Sequence, residues 1–113
     1  MPVDIRARLS NCTFSAQKVR LVIDLVRGRP ATEALNTLKF LNKGISAPLY
    51  KLLASAVANA EENFGISRDN LYVHTITADE APTRKWRKFG ARGRFKPVLR
   101  RSSHINVILR ERE

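Results

Sequence analysis

The sequence has few of the residues on which cross-linked and metal-bound folds depend. It contains one cysteine in 113 residues, which excludes an internal disulfide and a cysteine-based zinc site. The two histidines, His74 and His104, sit in strand-like segments without a third ligand, so we expect no metal and no cofactor. No stretch of about 18 apolar residues and no signal-peptide pattern occurs. We therefore expect one cytoplasmic domain, residues 1–113, held together by a hydrophobic core.

Acidic residues are missing from one long stretch. Residues 84–101, which we call the arm, read RKWRKFGARGRFKPVLRR and carry nine basic residues and no acidic one. The rest of the chain holds 12 basic and 10 acidic residues, so the arm accounts for nine of the eleven formal net positive charges. A nearly neutral body with one cationic segment predicts a polyanionic partner. The nine cations are Arg84, Lys85, Arg87, Lys88, Arg92, Arg94, Lys96, Arg100 and Arg101.

The composition of the arm favours a nucleic acid, in particular RNA. Arginine makes planar bidentate contacts to phosphate, and Trp86, Phe89 and Phe95 lie between the charges, where they can stack on unpaired bases. Two alternatives remain open: a DNA-compacting or single-stranded-DNA protein, and a cationic hairpin that binds anionic membranes. The absence of an amphipathic helical period disfavours the membrane alternative, and we expect no membrane partner.

The body reads as one strand followed by three helices. Apolar residues alternate with polar ones from Val3 to Leu9, which is typical of a strand with one face on a core. Helical spacing then predicts a first helix over about 16–27, capped by Ser15 and stopped by Gly28, and a second within 30–41. A third and longest helix is predicted from a cap at Ser46 to Gly65.

Two further strands flank the arm. Alternation runs from Leu71 to Ala78 with a slip that predicts a bulge at His74–Thr75, and again from Ile105 to Leu109. We predict that the arm continues these strands as a ribbon that turns near Gly90–Gly93, reaches some 35–40 Å and is mobile until bound. The predicted fold is α+β: a three-stranded antiparallel sheet with three helices on one face (residues 1–80 and 102–113) and a long protruding β-hairpin at about 81–101.

Several local contacts can be predicted as well. Arg20 and Asp24 are four residues apart in the first helix, so we expect an ion pair between them. Asp79 and Glu80 stand at the base of the arm and are expected to anchor arginines there rather than to perform acid–base chemistry. Ser102 and Ser103 precede His104, but nothing suggests an oriented triad. We find no enzyme in this sequence.

Five segments in order resemble a known family. They are SAQKVR at 15–20 leading to Gly28, SAVANA at 55–60, DEAP at 79–82, ARGR at 91–94 and RSSHI at 101–105. Together they are similar to the twenty-two family of large-subunit ribosomal proteins, in its bacterial or organellar form, and the resemblance covers nearly the whole chain.

The resemblance implies a fold and a location as well as a function. It implies a small α+β body near the exit of the peptide tunnel and an extended hairpin that lines the tunnel wall. It also implies binding to 23S-type rRNA, a role early in subunit assembly and no homo-oligomer. The partners would be 23S-type rRNA, neighbouring large-subunit proteins and the nascent chain, in a ribosome of the cytoplasm or of an organelle.

The resemblance also assigns roles to residues, which add to those derived from the arm. The tunnel-lining tip comprises Phe89, Gly90, Ala91, Arg92, Gly93 and Arg94. Trp86, Phe89, Gly90 and Phe95 depart from the family pattern around that tip. The predicted rRNA-binding residues are Arg6, Arg8, Ser15, Lys18, Arg20, Arg84, Lys85, Trp86, Arg87, Lys88, Arg92, Arg94, Lys96, Arg100, Arg101 and His104.

Overall fold

The protein is represented by a computed structural model. It describes residues 4–12, 14–81, 84–89, 95–100 and 102–112, and for residue 11 and the two arm strands it describes the backbone only. Within these residues, five strands and three α-helices follow one another. The strands are β1 (Ile5–Cys12), β2 (Leu71–Glu80), β3 (Arg84–Phe89), β4 (Phe95–Arg100) and β5 (Ser103–Glu111). The helices are α1 (Ala16–Ile23), α2 (Ala31–Phe40) and α3 (Ser46–Phe64).

The three helices form because each carries an apolar stripe, and two of them have a recognisable cap or stop. In α1, for example, Val19, Val22 and Ile23 are almost fully buried, and the Ser15 hydroxyl accepts a hydrogen bond from the Lys18 amide at 3.5 Å. The longest helix, α3, ends at Gly65, whose φ of +65° is left-handed. The predicted cap at Ser15 and the stop at Gly65 are confirmed.

The body sheet is three-stranded and antiparallel, in the order β1-β5-β2. Along β5 every second residue from Ser103 to Leu109 is buried under the helices, and the residues between them are partly exposed. The register of β2 on β5 shifts between Val73 and Thr75, which places the predicted bulge at His74. The helices therefore cover one face of the sheet and leave the other open, so the predicted α+β class is confirmed.

The arm strands form a separate two-stranded sheet. β3 pairs antiparallel with β4 from Arg84 opposite Arg100 to Phe89 opposite Phe95. The Cα atoms of the molecule extend 64 × 26 × 19 Å along its principal axes, an elongation that a protruding ribbon accounts for. The predicted turn at Gly90–Gly93 lies outside the described residues, and so does Val3 of the first predicted strand.

Two predicted helix ends were wrong. The first helix stops at Ile23 instead of continuing to 27, because the amides of Leu25 and Val26 bond three residues back, to Val22 and Ile23, as in a tighter 3₁₀ turn. Ser46 does not cap the third helix: Ile45 already has helical dihedral angles. The Ser46 hydroxyl instead bonds the Leu41 carbonyl at 2.9 Å and closes the turn between α2 and α3.

Candidate nucleic-acid interface

The register of the arm sets like charges against each other. Lys88 lies opposite Lys96, and Arg84 lies opposite Arg100. Like charges directly opposite in an antiparallel pair are destabilising, and the arm sequence supplies no carboxylate to offset them. A two-stranded ribbon is in any case marginally stable alone in water. An external polyanion would relieve this repulsion, so the arm is the principal candidate for a binding surface.

Three hydrogen bonds among the described residues lie close to the point where the arm leaves the body. The Ala81 amide donates to the Ser102 carbonyl at 3.1 Å, which closes the ladder where the arm leaves the body. Ser103, which is fully buried, donates its hydroxyl to the Phe14 carbonyl at 2.8 Å, just before α1. On the neighbouring strand Asp79 accepts from the Asn106 side-chain amide at 3.3 Å. These bonds tie the strand ends from which the arm departs to the start of α1 and to the sheet.

The predicted anchoring of arm arginines by Asp79 and Glu80 lies outside the described residues. Ser103, in contrast, was missed by the sequence reasoning. The sequence did contain an indication, because Ser103 stands two residues before Ile105 in the alternating series of buried residues that continues with Val107 and Leu109. A hydroxyl at a buried position needs an acceptor, and this one finds it at the start of α1.

The predicted pair between Arg20 and Asp24 does not form. The Arg20 guanidinium donates from Nε at 3.2 Å and from Nη2 at 2.9 Å to the Ala78 carbonyl, 58 residues away. Asp24 instead pairs with Arg27 at 2.6 Å, and Arg27 also donates to the Ile76 carbonyl at 3.0 Å. Both arginines thus hold the outer edge of β2. Arg20 uses two of its five N–H donors there, and its side chain is exposed.

The start of α1 presents Ser15 and Lys18, two predicted contact residues. The Lys18 side chain is exposed, while its amide is capped by Ser15. The first turn carries no acidic residue, so the positive end of the helix dipole is not neutralised locally. This arrangement favours an anion at the start of α1, and contact of Ser15 and Lys18 with rRNA stays a prediction.

Three more predicted residues share the open face of the sheet. The register places Arg6 opposite Ile108 and Arg8 opposite Asn106, and His104 lies two positions farther along β5. The Arg6 side chain is 74% exposed and 3.8 Å from Asp4, whose other oxygen accepts a 2.5 Å bond from Arg110. That hydrogen bond holds the pKa of Asp4 below its usual range. The acid is therefore committed to Arg110, and Arg6 remains available to a partner.

The described residues thus divide the predicted contacts between four places. Arg6, Arg8 and His104 lie on the open sheet face, Ser15 and Lys18 at the start of α1, and Arg20 on the β2 edge. Arg84, Lys85, Trp86, Arg87, Lys88, Phe89, Lys96 and Arg100 lie on the two arm strands. Gly90, Ala91, Arg92, Gly93, Arg94 and Arg101 lie outside the described residues.

The part of the chain that the structure describes contains no group of acidic, histidine or cysteine side chains that could hold a metal ion. None of its helices is long and apolar enough to cross a membrane.

Comparison with known proteins gives a match over nearly the full length. The family model for ribosomal protein L22p/L17e matches residues 7–110. A large ribosomal subunit protein uL22 from Thermoanaerobacter sp. (strain X514) is 44% identical over 111 residues, which cover 98% of this chain and 100% of the relative. The uL22 protein of Thermoanaerobacter pseudethanolicus (strain ATCC 33223 / 39E) matches with the same identity and coverage.

Proposed function

We propose a mechanism for this chain from the premise that it belongs to the ribosomal protein L22p/L17e family. It is a structural constituent of the large ribosomal subunit, and its partners are rRNA and other ribosomal proteins. The family is one of structural proteins and not of enzymes. Within that role, the arm inserts into folded 23S-type rRNA and the body contacts the rRNA from outside.

The observation that carries the proposal is the register of the arm. Cations opposed in pairs, with no acid in the segment, are relieved when rRNA phosphates come between and around them, and the released counterions add a favourable entropy. Trp86, Phe89 and Phe95 stack on bases that are not paired. The body contributes Arg6, Arg8, Ser15, Lys18, Arg20 and His104, on surfaces beside the root of the arm.

We also propose that the arm tip, residues 89–94, lines the peptide tunnel and meets the nascent chain, and that the protein enters the subunit early and as a monomer. A ribbon tens of ångströms long supports this, because it can cross rRNA layers that a compact body cannot enter. We place this ribosome in the cytoplasm.

A photo-cross-linking residue at Ala91 should attach to a stalled nascent chain. Cross-links confined to rRNA would contradict the tunnel role.

The rRNA mechanism is tested with two charge-matched variants of the full chain. The arm variant carries Arg87→Gln, Lys88→Gln and Lys96→Gln. The body variant carries Lys39→Gln, Lys43→Gln and Lys51→Gln, three exposed residues of the α2–α3 layer. Binding to a 23S-type rRNA fragment is measured as a function of salt.

Affinity falls with salt, so the slope of log affinity against log salt is negative. In the arm variant this slope should be shallower by about 2, at roughly 0.7 per lost phosphate contact. The body variant should leave the slope unchanged. Equal losses in the two variants would mean that net charge alone drives binding, and the proposed role of the arm would be wrong.

A duplex-DNA competitor at the same salt should displace the rRNA only weakly, and strong displacement would instead support the DNA-binding alternative.

A further inference from the structure

The two edge strands of the body sheet, β2 and β1, differ in how many of their outward backbone groups are hydrogen-bonded. The outer edge of β2 is occupied at successive carbonyls. The Gly28 amide donates to the Val73 carbonyl at 2.9 Å, and the Val73 amide donates to the Arg29 carbonyl at 2.9 Å. The Arg27 and Arg20 guanidinium groups bind the next outward carbonyls along the strand, at Ile76 and Ala78. This edge is closed, so it has little capacity to pair with another strand.

The opposite edge, β1, is open in the part of the chain that the structure describes. The sheet order leaves β1 with β5 as its strand partner. Among the described residues, no backbone hydrogen bond outside the β1–β5 ladder involves Ile5–Cys12. A row of peptide donors and acceptors therefore faces outward along this strand.

The side chains of β1 give a second, independent sign that this edge is incomplete. Ala7 and Leu9 pack against the core but remain partly exposed. Their counterparts on the closed edge, Val73 and Ile76, are exposed by only 0% and 3%. A strand added beside β1 would bury the remaining surface of Ala7 and Leu9.

We propose that the free edge of β1 accepts an extended segment of another protein, which adds a fourth strand to the sheet. The usable length is about five residues, Ile5–Leu9, because the register of β1 on β5 shifts between Leu9 and Cys12. The segment carries apolar residues on the side of Ala7 and Leu9 and acidic residues on the side of Arg6 and Arg8. This inference does not depend on the proposed rRNA mechanism of the arm, and it replaces the rRNA contact proposed above for Arg6 and Arg8.

Two other occupants fit the edge less well. A second copy of this chain, paired antiparallel about Ala7, would set Arg6 opposite Arg8 of the copy, and like charges in that position repel. An RNA backbone offers phosphate oxygens that accept hydrogen bonds, but it supplies neither a matching row of donors nor apolar groups for Ala7 and Leu9. A peptide backbone with alternating apolar and acidic side chains meets all three requirements.

The test uses two synthetic nine-residue peptides, one alternating valine with glutamate and one alternating valine with lysine. Each is titrated into the full isotope-labelled chain while amide chemical shifts and hydrogen exchange are measured. The glutamate peptide should shift and protect amides of Ile5–Leu9, with no added protection along the outer edge of β2. Because an acidic peptide also attracts the cationic arm, shifts confined to residues 84–101 would overturn the proposal, and so would no binding.

A charge swap separates edge pairing from general attraction to the arm. In an Arg6→Glu/Arg8→Glu variant, the preference at β1 should change from the glutamate to the lysine peptide, by about tenfold if each reversed cross-strand pair has its usual strength. A Lys39→Glu/Lys43→Glu variant with the same net charge should keep the wild-type preference. An unchanged preference in the β1 variant, with its melting temperature intact, would overturn the proposal. If the swap impaired folding, Arg6→Gln/Arg8→Gln should abolish the preference without inverting it.

Discussion

The body and the arm use arginine in opposite ways. In the body, Arg20 and Arg27 donate to carbonyls of β2, and Arg110 donates to Asp4. In the arm, Arg84 lies opposite Arg100 in a segment that contains no acidic residue. The residue type is the same, but the body fold supplies acceptors and the arm sequence does not. An arginine therefore contributes to the stability of this protein where an internal acceptor faces it, and those of the arm are assigned to a partner in the proposed mechanism.

The comparison predicts that stability and rRNA binding can be damaged separately. The largest effect is expected from Leu53→Ala in α3, where the side chain is 2% exposed. Loss of a buried leucine should lower the free energy of unfolding by about 2–5 kcal/mol, through lost burial and the cavity left behind. Chemical denaturation measures this change, and the salt slope of rRNA binding should stay as in the wild type.

The reciprocal variant changes the arm alone. Arg92→Ala with Arg94→Ala should reduce assembly into large subunits or alter passage of the nascent chain, without a change in the melting temperature of the free protein. These side chains belong to the predicted tip, which is proposed to act on a partner. A clear drop in melting temperature would show that the tip contributes to the stability of the body, and the division between the two regions would fail.

Arg20 tests the border between the two roles, because it was predicted to bind rRNA and is found on the Ala78 carbonyl. Arg20→Ala should lower the free energy of unfolding by about 1–2 kcal/mol, since two hydrogen bonds from a charged donor are lost at the edge of β2. Arg20→Lys should recover rRNA affinity better than stability, because lysine keeps the charge but loses the bidentate geometry. If alanine leaves stability unchanged, Arg20 acts on rRNA alone.

The sequence predicts what is local and periodic in this protein. The slip in alternation around His74 located the bulge, and the flanking strands indicated the ribbon that β3 and β4 form. The acceptor of Arg20 could not be predicted, since it lies 58 residues away and depends on how α1 packs against β2. A local partner, Asp24, was assumed instead. Helical spacing indicates only which side chains of one helix could pair, and the packing of the helix on the sheet determines which contact Arg20 makes.

A smaller effect is expected at the end of α3. Gly65 adopts φ of +65°, and a Cβ built there meets no atom within 4 Å. Gly65→Ala should therefore cost about 1 kcal/mol from backbone strain alone, without a steric clash. Thermal unfolding measures the loss. Gly44→Ala is a useful contrast because Gly44 has no left-handed φ and its new Cβ would touch the Phe14 ring at 3.4 Å. An equal loss in both variants would argue against strain as the cause at Gly65.

The smallest effect concerns Asp4, which Arg110 binds on the open face of the sheet. The hydrogen bond from Arg110 lowers the pKa of Asp4 in the folded protein, and the positive charges of Arg110 and Arg6 act in the same direction. A depressed carboxyl pKa contributes stability that is present above the unfolded value, about 3.9, and is lost as the pH falls through the folded value. Asp4→Asn should therefore lower stability at pH 7, and the difference from the wild type should shrink below pH 4.

Denaturation midpoints measured from pH 7 down to pH 2 check this expectation. Asp69→Asn is the matched control, since it removes the same charge from an exposed carboxylate with no described ion pair. It should give a smaller difference from the wild type at pH 7. These measurements compare the two regions directly. In the body, Asp4 pairs with Arg110 and so contributes to stability, and the arm sequence contains no acidic residue that could do the same. A pH-independent difference for Asp4→Asn would mean that the pair contributes packing and no charge stabilisation.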